Sequence, residues 1–280
     1  MQSLIAQTAK GPIEYTRRGA GPAVLICHGT SSDCFSGDLA EALAGAGFTA
    51  ITPSRPGYGR TPLAAGRSAA EAAAALMALL DSLGRSKCAV AAVSGGGPTG
   101  IALAAGFPDR VERLILVAAL SRPETRPDDP NYQNTVSFYG PMHGALWGLL
   151  GLMSRLSPRS VARQTLATFS THAPDDGLRR LSVEDVAQIS HFYQGRSSRQ
   201  GALNDATHTV GAELLAAVSQ PTLVVHSRED RAVPFSHAEW SLQHLPRASL
   251  CEAGFTGHFY WVGPDFGPIR QRMAAFLQGA

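Results

Sequence analysis

Seven short apolar runs, at residues 13–16, 23–27, 48–51, 88–93, 114–118, 222–226 and 248–251, alternate along the 280-residue chain with longer segments rich in alanine and leucine. Alternation of that kind is the pattern of an α/β fold, a mostly parallel central sheet with helices on both faces. Helices are expected at 37–46, 68–84, 96–106, 235–244 and 265–278. The second of these opens with Ser68-x-x-Glu71, the spacing of a capping box, and stops at Gly84.

One interval breaks the rhythm. About a hundred residues separate Ala118 from Thr222, where an ordinary strand–helix–strand crossover takes about thirty. An inserted helical subdomain accounts for the excess, with helices expected at 141–156, 157–169 and 182–194. The chain then divides into a core domain, 1–120 with 216–280, and a helical cap, 121–215. With 44% hydrophobic residues there is ample material for a large buried core.

Composition excludes several functions. Charged residues are 16% of the chain, and 24 basic against 22 acidic side chains leave a formal net charge of +2, which argues against a nucleic-acid surface. The basic residues are nearly all arginine, dispersed without a cluster. No apolar run reaches the roughly eighteen residues that a membrane span requires, and MQSLIAQTAK lacks the layout of a signal peptide. Four cysteines without a CxxC pair fit a reducing compartment, so a soluble cytoplasmic protein is expected. No metal-ligand spacing is present, and cofactor-free chemistry is expected.

The chemistry concentrates in 88–108, an apolar strand, then Val93-Ser94-Gly95-Gly96-Gly97-Pro98, then an alanine-rich helix. A strand-to-helix turn this tight forces strained dihedrals on the serine and admits only small residues two positions before and after it, a need that Ala92 and Gly96 meet. Ser94 then stands clear of the sheet at the positive end of the helix. A Gly-rich turn can also cradle a phosphate, but neither GxGxxG nor GxxxxGK[ST] occurs.

In these residues the chain resembles the α/β-hydrolase superfamily, whose Gly-x-Ser-x-Gly appears as Ala92-Val93-Ser94-Gly95-Gly96; the resemblance covers nearly the whole chain apart from the cap. It implies a base and an orienting acid downstream, in the order acid then histidine. Asp230, in the loop after PTLVVHSRED, resembles the family's acid, with adjacent Glu229 as its rival, and the Gly257-His258 pair resembles the histidine loop. His28-Gly29 looks like the family's oxyanion loop, which implies the backbone N–H groups of Thr30 and Gly95 as donors. The turn in 53–62 resembles a Gly-x-Gly buttress of that loop, with Arg55 in a structural salt bridge. His226 is read as a packed strand-end residue, and His143, His172, His191, His208, His237 and His244 carry no motif.

The resemblance also implies what to exclude: family members that open epoxides or displace halide carry an aspartate at the elbow, where this chain has Ser94, and cyanohydrin-cleaving members add a lysine near the site, which neither Lys10 nor Lys87 supplies. What remains is hydrolysis of a carboxylic ester or lactone through an acyl-enzyme, with thioesterase, perhydrolase and carbon–carbon hydrolase activities on the same triad as alternatives, and a non-catalytic ligand receptor as the alternative of another class. The apolar first part of the cap points to a small or medium apolar substrate, with Phe138, Met142, Trp147 and Leu150 as candidate contacts. The same stretch lacks the flanking basic residues of an interfacial helix, so stable membrane association is not expected. A homodimer stays open.

Overall fold

The computed structural model describes residues 2–123, 130–254 and 256–279. Glu124 and Phe255 of the sequence reading lie outside them. Eight strands form one sheet: β1 (Leu4–Thr8), β2 (Gly11–Arg18), β3 (Ala23–Cys27), β4 (Thr49–Pro53), β5 (Cys88–Val93), β6 (Val111–Val117), β7 (Thr222–His226) and β8 (Ala248–Glu252). Their spatial order is β1-β2-β4-β3-β5-β6-β7-β8. The first two pairings, β1 with β2 and β2 with β4, are antiparallel, and the rest of the sheet is parallel.

Period-two alternation splits the parallel strands cleanly between two cores. Leu25, Val90, Leu114 and Val224 face the side covered by α2 (Ala69–Ser82) and α3 (Gly97–Gly106), where they meet Leu76, Leu80, Ile101 and Leu103. Their neighbours Val24, Ala91, Ile115 and Val225 face α1 (Asp38–Gly45) and α12 (Phe266–Gln278), meeting Leu39, Leu43, Met273 and Phe276. The capping box expected at Ser68 and Glu71 is formed at the start of α2.

Between β6 and β7 the chain runs through α4 (Pro130–Phe138), α5 (His143–Leu156), α6 (Pro158–Phe169), α7 (Pro174–Arg180), α8 (Val183–His191), α9 (Arg199–Asp205) and α10 (Ala212–Ala216). The helix expected at 182–194 is α8 followed by a 3₁₀ turn, Phe192–Gln194. A separate cluster formed by Ala162, Leu166, Leu178, Val186 and Ile189 holds α6–α8 together, and Phe259 and Val262, from the loop after β8, are part of it. Val210 and Leu215, near the end of this stretch, pack instead into the main core against α3. The helix α11 (Ser236–His244) lies between β7 and β8.

Besides the short helices α4, α7, α9 and α10, two features depart from the sequence reading. Strand β1 was not anticipated: Leu4 and Ile5 are half-exposed on an edge strand, so no solid apolar run announces it. In α5 the leucines do not form the buried face. His143, Trp147 and Ser154 are buried, whereas Leu149, Leu152, Met153 and Leu156 point outward. At Gly151 this helix comes close to the backbone carbonyl of Tyr193, where an added Cβ would crowd the oxygen.

Candidate active site

The C-terminal ends of β3, β5, β7 and β8 converge where the strand order reverses on either side of β3, the place where open parallel sheets leave a crevice. Directly after β5, Ser94 adopts φ 50°, a left-handed conformation rare for a residue with a side chain. The turn is locked by close packing. A Cβ on Gly96 would strike the carbonyl oxygens of Cys27 and His28, and one on Gly100 would strike the Cβ of Ala92, so α3 can lie this near the sheet only without those atoms. Pro98 sits in the first turn of α3, where no N–H is needed.

His258 and Asp230 reach Ser94 from the neighbouring strand ends. His258 Nδ1 lies 2.7 Å from Asp230 Oδ2, and its Nε2 lies 3.1 Å from Ser94 Oγ. A carboxylate can only accept, so Nδ1 carries the proton and Nε2 is left to accept from the serine hydroxyl. The other carboxylate oxygen of Asp230 accepts the backbone N–H groups of Ala232, at 2.9 Å, and Val233, at 2.8 Å. Asp230 is 3% exposed and His258 8%. Glu229 turns the other way, accepting a hydrogen bond from the Thr171 hydroxyl, and lies 3.9 Å from His172.

The end of α6 is stitched to both of these loops. The carbonyl of Phe169 accepts the N–H groups of His258 and Arg231, Ser170 pairs with Asp230 in an isolated antiparallel bridge, and the Phe169 ring stacks on the imidazole at 5.9 Å. From Phe169 a chain of aromatic contacts continues through Phe192 to Trp147 and on to Phe138. Of the four side chains expected to contact substrate, Phe138 and Trp147 belong to this chain; Leu150 is half-buried on α5, and Met142 is 73% exposed and stands apart from the group.

On the opposite side of Ser94, the loop His28-Gly29-Thr30 leaves β3 and lies against Gly95, where an added Cβ would collide with Thr30 Oγ1. Arg55 is buried beneath it. Its backbone N–H donates to His28 Nε2 at 3.0 Å, its Nε to the His28 carbonyl at 2.8 Å, and its two terminal nitrogens form a fork with Asp205 at 2.7 and 2.6 Å. The salt bridge expected of Arg55 is thus present, with a partner that sequence reasoning missed. Burial and the Arg55 charge hold His28 neutral, with its pKa pushed down to about 3. Burial alone would raise the Asp205 pKa, but Arg55 beside it overcomes this and keeps the group ionised. His226 is buried at the end of β7, donates to the Val233 carbonyl at 2.8 Å and packs edge-on against Phe235.

The family description "alpha/beta hydrolase fold" matches residues 22–264. The chain belongs to that family. As an α/β-hydrolase it is 33% identical, over 96% of its length and 95% of the other, to an uncharacterized hydrolase, YcgS, of Bacillus subtilis (strain 168). It is 31% identical to a pimeloyl-[acyl-carrier protein] methyl ester esterase of Nitrosomonas europaea, across 58% of this chain and 61% of that one. Among solved structures, an alpha/beta hydrolase fold protein from Nakamurella multipartita superposes with a TM-score of 0.78 at 28% identity, covering 99% of both chains.

Among the described residues the hydrolase has no group of three or more histidine, cysteine or acidic side chains placed to hold a metal ion, and no helix long and apolar enough to cross a membrane. All four cysteines are free thiols. A cavity of about 260 Å³ lies at the far end of the sheet from Ser94, lined by Pro22, Phe48, Glu112 and Arg113 among others.

Proposed function

We propose that this α/β-hydrolase cleaves a carboxylic ester or lactone by a Ser-His-Asp mechanism. The observation that carries the reading is the unbroken hydrogen-bond line from Ser94 Oγ through both nitrogens of His258 to Asp230 Oδ2. A serine hydroxyl attacks a carbonyl only if its proton is removed as the bond forms. His258 Nε2 takes that proton and returns it to the leaving alkoxide. Asp230 holds the imidazole in the tautomer that leaves Nε2 free and stabilises the imidazolium that forms, while its two backbone donors keep the carboxylate from turning away. The oxyanion of the tetrahedral intermediate is received by the N–H groups of Thr30 and Gly95, and water activated by His258 then releases the acid from the acyl-enzyme.

In this reading α4–α9 form a cap, and the aromatic chain from Phe169 to Phe138 gives the acyl or alcohol group an apolar wall. The methyl ester esterase among the relatives supports an ester over a thioester or a carbon–carbon bond. The test is a series of p-nitrophenyl esters from acetate to octanoate, run beside γ- and δ-lactones. Multiple turnovers that vanish in Ser94→Ala, with stoichiometric labelling of Ser94 by a fluorophosphonate, are expected. A single slow burst without turnover would favour a ligand receptor, and absence of labelling would overturn the nucleophile assignment.

A further inference from the structure

Asp205 ends α9, in the helical insertion, yet its side chain is 4% exposed because it reaches down beside the loop that leaves β3. Four donors converge on its carboxylate: the two Arg55 nitrogens, the Tyr58 hydroxyl at 2.6 Å and the Thr30 hydroxyl at 3.1 Å. Three of these, including Thr30, fall on the same oxygen, Oδ2. That oxygen would stand 3.2 Å from a Cβ added at Gly95, so Asp205 and the Thr30 hydroxyl lie directly behind the second proposed oxyanion donor. Through Arg55 the same carboxylate also grips the loop at its other end, by way of the His28 carbonyl and ring.

We infer that Asp205 is the positioning residue of the oxyanion hole: it fixes Thr30 through its hydroxyl and His28 through Arg55, and so aims the Thr30 backbone N–H at the developing oxyanion. The inference rests on the esterase reading above. A serine, threonine or other residue at position 30 can supply the same backbone donor, but only a hydroxyl can be held by Asp205. A buried anion so close to an oxyanion would oppose catalysis unless neutralised, and the Arg55 fork with the Tyr58 hydroxyl supplies that neutralisation. The insertion therefore contributes to the electrostatics of the site as well as to its walls.

The decisive comparison is Thr30→Val against Thr30→Ser, assayed with p-nitrophenyl butyrate. Valine keeps the branched shape and removes the hydroxyl; serine keeps the hydroxyl. Losing an oxyanion donor outright costs about 10²–10³ in kcat, so a misaimed one is expected to lower kcat about 10–100-fold in Thr30→Val, with KM within about twofold and Thr30→Ser within about threefold of the parent. Affinity for a phenylboronic acid, which forms a tetrahedral adduct with the serine, should weaken in Thr30→Val in parallel with kcat. Asp205→Asn combined with Thr30→Val should lose far less than the product of the single losses. Where Asp205→Asn does not fold, because it leaves Arg55 buried without its counter-charge, the Thr30 pair decides alone. Parental kcat in folded Thr30→Val, or equal losses in the valine and serine variants, overturns the inference. Parental activity in Ser94→Ala would instead overturn the esterase reading on which it rests.

Discussion

In the proposed mechanism the nucleophile side, around Ser94, and the base side, around His258, are held by different physics. Ser94 and the loop at Thr30 are set by a strained φ, by missing Cβ atoms at Gly95 and Gly96, and by an ion pair buried underneath whose acid comes from the insertion. Asp230 and His258 sit on longer loops, and the end of α6 pins them with three backbone contacts and one stacked ring. One half is fixed chiefly by close packing, the other by hydrogen bonds and a stacked ring. The insertion enters both halves, through Asp205 on one side and the end of α6 on the other.

The largest expected effects do not distinguish the halves, since both are needed for one proton transfer. Ser94→Ala and His258→Ala should each lower kcat by about 10⁶-fold, and the double variant should be no worse than either single one. Additive losses in a steady-state ester assay would show that the two residues do not act as one unit. Asp230→Asn is expected to cost about 10⁴-fold by favouring the wrong tautomer of His258. Glu229→Gln should stay within about threefold, because its carboxylate faces Thr171 and His172; reversed outcomes would exchange the two acids.

Acid should strike the nucleophile side. His28 has its pKa lowered from 6.5 to about 3, so the unfolded chain binds this proton more readily and stability drains away as pH falls below about 6.5. Against the turn that carries Arg55, Glu14 is lowered from 4.5 to about 2: burial would raise it, but hydrogen bonds from Ser3, the N–H and side chain of Arg60, and Ser54 prevail. Its contribution, up to about 3 kcal/mol, is present above pH 4.5 and lost toward pH 2. Thermal unfolding between pH 8 and 3 should show Tm falling below about pH 6.5, with Glu14→Gln flattening only the segment below about pH 4.5. A pH-independent Tm would contradict both assignments. A smaller effect belongs to the base side: Phe169→Ala should reduce kcat about tenfold and lower Tm by a few degrees, because the ring stacked on His258 also packs against Phe192 and Phe259.

The same division governs what could be read from the sequence. Ser94, the turn around it and the capping box at Ser68/Glu71 are local patterns, each complete within a few residues, and the structure forms the cap. The parallel strands are equally legible because burial on both faces leaves solid apolar runs. Edge strand β1 and the short helices α4, α7, α9 and α10 leave no such mark. Asp205 lies in Ala202-Leu203-Asn204-Asp205-Ala206, which has no motif, and its meaning comes entirely from Arg55, 150 residues earlier. Phe169 likewise looks like an ordinary helix-end aromatic until its carbonyl is seen accepting from His258. In the insertion, an apolar stripe in α5 was a poor guide because the helix buries tryptophan, histidine and small residues and turns its leucines outward.

The ion pair between Arg55 and Asp205 also has a consequence for how the protein is made. Its partners are 150 residues apart, and Ser94 and His258 are 164 apart, so the first contact must wait for α9 and the second for the loop after β8. Contacts of such separation form late, after the sheet has enough neighbours to offset loop closure. A ribosome-bound fragment ending before β8 would carry the serine elbow and Asp230 but not His258. In the proposed mechanism, activation of Ser94 therefore waits for the loop after β8, the last part of the site to be made.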